Sequence, residues 1–169
     1  MHMYPGSWSE QNGWLFPQGE PPVEADWVLY FGAVHHLGTP SAAISGLRQR
    51  FAKALCCGCS TAGEILQGSV ADDTVAAVAV RFDHTVVRGA ILPIEHAEQI
   101  HQVAAALARQ LAAEDLVHIL VLSDGLKVNG SQLARGFRET LPEHIRVTGG
   151  LAGDGTQFGQ TLVGLNEQI

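Results

Sequence analysis

Two Gly-rich segments with similar surroundings constrain the fold of this chain more than any other feature. They are residues 57–64 (CGCSTAGE) and residues 147–154 (VTGGLAGD). A shift of 90 positions aligns residues 62–64 with residues 152–154. Each segment follows an apolar strand pattern, a helical pattern and a second short strand pattern. The repetition predicts two related β-α-β units that present similar turns.

The patterns before each segment identify the elements of the two repeats. In the first repeat, residues 27–33 are an apolar run of strand length, and Thr39 caps the helical pattern that follows. In the second repeat, the continuous apolar run at residues 117–122 is typical of a strand covered on both faces. Asn129 then caps a helix. Gln67, just after the first Gly-rich segment, also has a matching glutamine in the second repeat.

Between the repeats, the sequence predicts a hairpin followed by a helix. Residues 74–82 and 85–94 have strand patterns, and the two residues between them suit a tight hairpin turn. Apolar residues at helical spacing predict a helix over residues 100–111. We therefore predict an α/β fold: a mixed sheet built from two related β-α-β units with flanking helices and an inserted hairpin-helix.

Domain organisation follows from composition and from the internal match. Residues 1–25 are rich in Gly, Pro, Ser and Gln without a period, which predicts an extended N-terminal arm. We expect Trp8, Trp14 and Phe16 to pack this arm onto the domain formed by residues 26–169. The internal match requires one more strand near the end of the sequence, so we expect the domain to be truncated before its last strand.

Charge and cysteine content exclude several kinds of partner. The formal net charge of −7 opposes binding to nucleic acid or to an anionic membrane, because both need a basic face. The longest apolar run is shorter than the roughly 18 residues of a membrane span. The 3 cysteines are crowded and odd in number, unlike a secreted disulfide framework. We therefore expect a cytoplasmic protein.

The Gly-rich segments also predict a ligand pocket. Successive exposed N–H groups in such turns form anion-binding concavities, which would suit a carboxylate or a phosphate. We predict that a ligand is held between the two turns. The candidate ligand residues provide hydroxyls, carboxylates and accessible backbone, and they are Ser60, Thr61, Glu64, Asp124, Gly125, Gly149, Gly150 and Asp154. The alternative is structural: the glycines permit close packing, and Asp124 accepts hydrogen bonds within its own turn.

Three stretches resemble one family closely. Residues 58–64 (GCSTAGE), 123–131 (SDGLKVNGS) and 148–155 (TGGLAGDG) are similar to motifs of the FIST domain family, the "F-box and intracellular signal transduction" domains. The resemblance implies an N-terminal FIST domain that binds a small, amino-acid-like ligand, without the family's C-terminal FIST domain. It also implies a signalling partner such as a histidine kinase or a cyclic-di-nucleotide enzyme.

The same resemblance supplies an alternative function. The bacterial branch of the family includes haem proteins that sense nitric oxide and regulate a histidine kinase. Haem needs an axial ligand and an apolar slot. The candidate ligands are His35 and His36, which follow the first strand, and His118, which lies inside the apolar run.

Enzyme chemistry is the third alternative. Residues 58–63 resemble a nucleophile elbow, but their spacing does not match G-x-S-x-G. Cys59 or Ser60 would be the nucleophile, and no feature of the sequence positions a base. We therefore predict no catalytic residue and a protein that is not an enzyme. The cysteines lack paired C-x-x-C spacing, so structural zinc is not expected at that cluster.

Overall fold

The computed structural model describes residues 1–19, 21, 24–66 and 68–169. Gln67, and with it the predicted match to a glutamine in the second repeat, lies outside the described residues. The chain divides into two compact units. The first unit comprises residues 1–87 and 153–169, and the second comprises residues 88–152.

The first unit is built on a β-α-β arrangement. Strand β3 (Trp27–Gly32) leads into a short helix α1 (Val34–Leu37) and then helix α2 (Ala42–Arg50), and strand β4 (Leu55–Ser60) returns parallel to β3. The parallel pairing needs a helical crossover, which α2 supplies. The first repeat predicted from the sequence is therefore present.

The N-cap of α2 differs from the predicted one. Ser41, not Thr39, caps the helix, and its Oγ accepts a hydrogen bond from the backbone N–H of Ile44 at 3.1 Å. A hydroxyl must stand directly before the first helical residue to reach the free N–H groups of the first turn. Ser41 meets that condition, whereas Thr39 lies two residues further from the helix.

The remaining strands of the first unit complete a mixed sheet of 6 strands with the order β10-β4-β3-β7-β1-β2. Three of them are antiparallel additions: β7 (Val75–Arg81) beside β3, β1 (His2–Ser9) beside β7, and β10 (Val163–Leu165) beside β4. Strand β2 (Gly13–Leu15) pairs with β1 at the edge. The predicted α/β class with a mixed sheet is confirmed.

The predicted hairpin is wrong. Strand β7 covers most of residues 74–82, but residues 85–94, all described, contain no strand. Both edges of β7 are already paired, with β3 on one side and β1 on the other. A hairpin partner therefore has no edge to join, and the N-terminal segment takes the place that the hairpin strand was predicted to fill.

The core of the first unit lies between the sheet and its helices. Val28 and Tyr30 of β3 point inward, and Leu47 and Phe51 from the α2 region cover them. Trp8 of β1 joins the same cluster. Outside the six-stranded sheet, the short strands β5 (Glu64–Leu66) and β6 (Ser69–Ala71) form a small antiparallel pair just after the first Gly-rich segment.

The second unit repeats the β-α-β arrangement. Strand β8 (His118–Ser123), helix α4 (Gly130–Thr140) and strand β9 (Arg146–Leu151) form it, and β8 and β9 are parallel. Helix α3 (Ile100–Leu111) precedes them and confirms the predicted helix. A separate core joins these elements, with Phe137 of α4 and Ile119 of β8 among its buried members.

Strand β8 is less covered than its apolar sequence predicts. Ile119 and Ser123 are buried, but Val117 is 68% exposed and His118 is exposed as well. Strand β9, its parallel partner, is also mostly exposed. None of the helices in the described ranges is long and apolar enough to cross a membrane.

Candidate functional site

The first Gly-rich segment is the turn between β4 and β5. Glu64, at the start of β5, is 3% exposed, and both of its carboxylate oxygens accept hydrogen bonds. Oε1 accepts from the Thr61 hydroxyl at 2.8 Å. Oε2 accepts from the Thr74 hydroxyl at 2.8 Å and from the Thr74 backbone N–H at 3.3 Å. Thr61 and Glu64, both candidate ligand residues, therefore bind each other and hold this turn to the start of β7.

Ser60, the last residue of β4, joins three chain segments. Its side chain is fully buried, and its Oγ accepts a hydrogen bond from the Leu162 N–H at 2.9 Å. Its backbone N–H donates to the Leu162 carbonyl, and its carbonyl accepts from the Gly153 N–H, each at 2.9 Å. Within the first unit, Ser60 thus fixes the end of the second Gly-rich segment against the first.

Asp154 shapes the loop that follows the second Gly-rich segment. Its Oδ2 accepts from the N–H groups of Gln160 at 3.0 Å and of Gly159 at 2.6 Å. These hydrogen bonds, led by the one from Gln160, lower the pKa of the Asp154 carboxyl. A carboxylate that accepts backbone N–H bonds is favoured in its charged form. Asp154 therefore carries a negative charge at neutral pH.

The turn itself presents unused donors. Within the described ranges, no residue accepts a hydrogen bond from the backbone N–H of Ala62 or of Gly63. Ala62 as a residue is exposed to solvent. Gly153 lies opposite, because a Cβ built on it would stand 3.6 Å from the Ala62 nitrogen. Two consecutive free N–H groups form the kind of concavity that binds anions.

A cavity of about 450 Å³ lies beside this region of the first unit. Its lining mixes apolar and polar groups from α1, the α1–α2 connection and the C-terminal segment, and consists of Val34, His35, Gly38, Thr39, Gln160, Leu162 and Ile169. Two lining residues are held by candidate ligand residues: Gln160 by Asp154 and Leu162 by Ser60. Asp154 and Ser60 thus hold one wall of the cavity in place.

A larger cavity, of about 690 Å³, opens elsewhere in the first unit. Its lining includes charged side chains of both signs, among them Arg48, Lys53 and Glu167. No candidate residue of the Gly-rich segments lines it. The candidate site is therefore the smaller cavity together with the adjoining turn, because the candidate residues of the Gly-rich segments support that cavity.

His35 and His36, on helix α1, come together with Asp73 at the turn before β7. The Nε2 atoms of His35 and His36 lie 2.5 Å and 2.9 Å from the same Asp73 oxygen, Oδ1. The hydrogen bond from His35 is the main cause of a lowered pKa for the Asp73 carboxyl. His36 is buried against Trp8, while His35 is exposed and lines the cavity.

His118 belongs to the second unit. It begins β8, is exposed, and its Nε2 lies 2.8 Å from the Thr148 hydroxyl. The apolar run around it in the sequence is therefore not buried at this residue. Each of the three histidines considered for haem thus has its Nε2 engaged by a polar side chain, so the residues present fit an axial haem ligand poorly.

The other candidates of the second unit have local roles. Asp124 follows β8, and its Oδ1 accepts from the N–H groups of Leu126 at 2.7 Å and Lys127 at 2.9 Å. This is the structural alternative that the sequence left open for Asp124. A Cβ on Gly125 would lie 1.8 Å from the Ala152 carbonyl oxygen, so close backbone approach explains this glycine.

The second Gly-rich segment is a strand over most of its length. Gly149 and Gly150 lie inside β9, paired with Val121 and Leu122 of β8, and not in a turn. A Cβ on Gly149 would lie 1.8 Å from the Val121 carbonyl oxygen, whereas Gly150 faces open space. Only the end of this segment, from Gly153 onward, belongs to the first unit and faces the first turn.

The cysteines of β4 are poorly suited to nucleophilic chemistry. Burial raises the pKa of the Cys59 thiol to about 11 and that of Cys56 to about 12. Burial also raises the pKa of Cys57, whose sulfur accepts a hydrogen bond from Trp27 Nε1 at 3.1 Å. The thiolate is the nucleophile, so the raised pKa values disfavour a nucleophilic role for these thiols near neutral pH.

Sequence reasoning missed Asp73, Thr74 and Gln160. Asp73 and Thr74 precede β7 and reach His35 and Glu64 only because the sheet brings distant segments together. Gln160 contributes through its backbone N–H and its place in the cavity wall. The Asp72-Asp73 pair before a strand was a local turn signal, but nothing in the sequence connected it with the histidines.

A mixed α/β sheet with polar turns at the carboxyl ends of its parallel strands is an architecture that binds small ligands at those ends. Residues 26–169 match the model of the FIST N domain family, and the chain belongs to that family. FIST domains are sensory, small-ligand-sensing domains of signal-transduction proteins. The chain has no significant match among curated proteins or solved structures.

Proposed function

We propose that this chain is a sensory domain of a bacterial signal-transduction protein and binds an amino-acid-like ligand. The ligand lies between the two Gly-rich segments and is held by the turn at residues 61–63. The observation that carries the proposal is the pair of free N–H groups at Ala62 and Gly63, with Gly153 of the second segment opposite them. A ligand carboxylate would accept from both N–H groups. The side chains of Ser60, Thr61, Glu64 and Asp154 support the turn and the adjacent cavity wall.

Charge favours a zwitterion over a simple anion. The turn offers donors to a carboxylate, but it adjoins the carboxylate of Glu64 and faces the segment that carries Asp154. A dianion such as phosphate would meet repulsion from these groups. An α-amino acid places its ammonium group beside its carboxylate and so offers a partner to each kind of group.

The test is a binding screen with metal-free protein. Amide nitrogen and proton chemical shifts are followed while single amino acids, simple carboxylates or inorganic phosphate are added. We expect an amino acid to shift the Ala62 and Gly63 signals and to raise the melting temperature. Phosphate should do neither at the same concentration.

Gly153→Ala is the informative variant, with Gly159→Ala as its matched control. The new methyl of Gly153→Ala meets the Ala62 nitrogen at an ordinary contact distance, 3.6 Å, so the fold tolerates it while the N–H is shielded. At Gly159 the nearest atom is 4.0 Å away. We expect at least a tenfold loss of amino-acid affinity in Gly153→Ala only. Equal affinity in the two variants, or no response to any amino acid, would overturn the proposal.

Haem sensing of nitric oxide is the alternative function, and the geometry supports it less. Its candidate ligands His35, His36 and His118 are engaged by Asp73 or Thr148. An absorption spectrum of the isolated protein discriminates between the two functions, because bound haem gives an intense Soret band. In either case we propose a cytoplasmic location, consistent with the free cysteines of β4, and a histidine kinase or a cyclic-di-nucleotide enzyme as output partner.

A further inference from the structure

We infer that His35, His36 and Asp73 form a binding site for a divalent transition-metal ion, with Zn²⁺ as the ion that the ligand set suits best. One donor atom from each residue lies within 4.8 Å of the other two. Two imidazole nitrogens and one carboxylate oxygen form a common ligand set of catalytic and regulatory zinc, which leaves a fourth position for water or another ligand. These three residues differ from the turn residues that hold the proposed ligand, although His35 lines the adjacent cavity.

The spacing of the donors is close to what a metal ion requires. Zn²⁺ binds nitrogen and oxygen at about 2.0–2.2 Å, so tetrahedral donors lie about 3.3 Å apart. The Nε2 atoms of His35 and His36 are 2.5 Å and 2.9 Å from Asp73 Oδ1. To admit the ion, each of these two Nε2–Oδ1 distances would have to increase by less than about 1 Å.

The surroundings hold one ligand firmly and leave another accessible. The His36 side chain is 6% exposed and packs edge-on against Trp8, with ring centroids 4.9 Å apart. The His35 side chain is 57% exposed and lines the 450 Å³ cavity. A metal ion would thus enter from the cavity side, and its open coordination position would face the cavity.

The backbone at Asp73 adopts a conformation that is uncommon for residues other than glycine. Asp73 has a φ of 59°, in the left-handed region that glycine adopts most cheaply. Non-glycine residues in this region are uncommon and concentrate at functional sites. Here the residue presents the only carboxylate that contacts both His35 and His36 among the residues described.

A hydrogen-bonded cluster without metal is the competing explanation, and metal titration of the full chain separates the two. Zn²⁺ is added to chelator-treated protein and followed by calorimetry, and Co²⁺ is followed by its visible absorption bands. We expect one ion per chain and, with Co²⁺, bands of a low-coordinate site. Co²⁺ should also quench Trp8, which touches His36, and this quenching should disappear in Trp8→Phe.

Two variants and a control complete the test. His35→Gln changes an exposed ligand, and Asp73→Asn removes the carboxylate while keeping a side chain that tolerates the left-handed backbone. His118→Gln changes an exposed histidine of the second unit. We expect the first two to weaken Zn²⁺ binding at least tenfold and His118→Gln to leave it unchanged. No stoichiometric binding by the wild-type chain, or equal affinities in all three variants, would refute the site without affecting the amino-acid proposal.

Discussion

Among single residues, four glycines in or near the candidate site segments fall into two groups that the sequence does not distinguish. Gly125 and Gly149 stand where a Cβ would collide with a carbonyl oxygen of a neighbouring strand or loop. Gly150 and Gly153 stand beside open space or at ordinary contact distance. Only the glycines of the second group are not already required by close backbone packing, so only they could be present for ligand contact alone. The distinction depends on which backbone lies opposite, which is a tertiary property.

Gly149→Ala and Gly150→Ala test this distinction at adjacent positions of β9. In Gly149→Ala the methyl would lie 1.8 Å from the Val121 carbonyl, so β8 and β9 must separate. We expect a loss of about 1–3 kcal/mol in the free energy of unfolding, as for overpacked cores. Gly150→Ala should stay within about 0.5 kcal/mol of wild type. Hydrogen exchange of the Ile119 and Val121 amides measures the stability of both variants. Equal protection in the two variants would show that the close contact at Gly149 does not determine the stability of the β8–β9 pair.

Among the elements, local signals were reliable for the two helices of the second unit, although the cap of α2 was assigned to the wrong residue. The periodicity of residues 100–111 predicted α3, and Asn129 was correctly identified as the cap of α4. The hairpin failed because strand patterns do not say which edges are free. Strand β7 has the predicted sequence signature, but β1, a segment more than sixty residues earlier in the chain, occupies its second edge.

The contribution of the Asn129 cap to the stability of helix α4 can be measured by substitution. Its Oδ1 accepts from the N–H groups of Ser131 at 3.0 Å and Gln132 at 3.2 Å, which have no partner inside the helix. Asn129→Ala should lower the free energy of unfolding of the second unit by about 1 kcal/mol, and Asn129→Asp should restore most of it. Helical circular dichroism during urea unfolding provides the measurement. Indistinguishable curves for the alanine and aspartate variants would show that the cap contributes nothing.

Across the whole molecule, each compact unit has its own core and its own optical properties. The cluster around Tyr30 and Phe51 belongs to the first unit, and the cluster around Phe137 belongs to the second. All 3 tryptophans lie within the first 27 residues, so tryptophan fluorescence reports on the first unit alone. The candidate site residues also divide between the units. The sequence could match the two Gly-rich segments, but it could not show that Gly149 and Gly150 pair within β9 while Gly153 faces the first turn.

The first unit should lose stability at alkaline pH, because it buries ionisable groups in their neutral forms. Burial raises the pKa of Cys56 to about 12 and of Cys59 to about 11, from an ordinary value of 9.0, and it also raises the pKa of Cys57 and Tyr30. Above about pH 9 the unfolded chain releases these thiol protons while the folded unit retains them. The folded state then binds more protons, so the free energy of unfolding falls as pH rises. The contribution is fully present below pH 9 and is lost as pH passes the folded pKa values.

Cys59→Ala isolates one of these groups. We expect the fluorescence-detected free energy of unfolding, measured in urea with reductant, to fall between pH 9.5 and 10.5 in both proteins. The slope should be less steep in Cys59→Ala by about 1 kcal/mol per pH unit, since each thiol that ionises only on unfolding contributes up to about 1.4 kcal/mol per unit. The variant also removes a sulfur from the core, which shifts its whole curve downward without changing the slope. Parallel curves would mean that Cys59 ionises equally in the folded and unfolded states. That result would also make Cys59 a candidate for a reactive thiol.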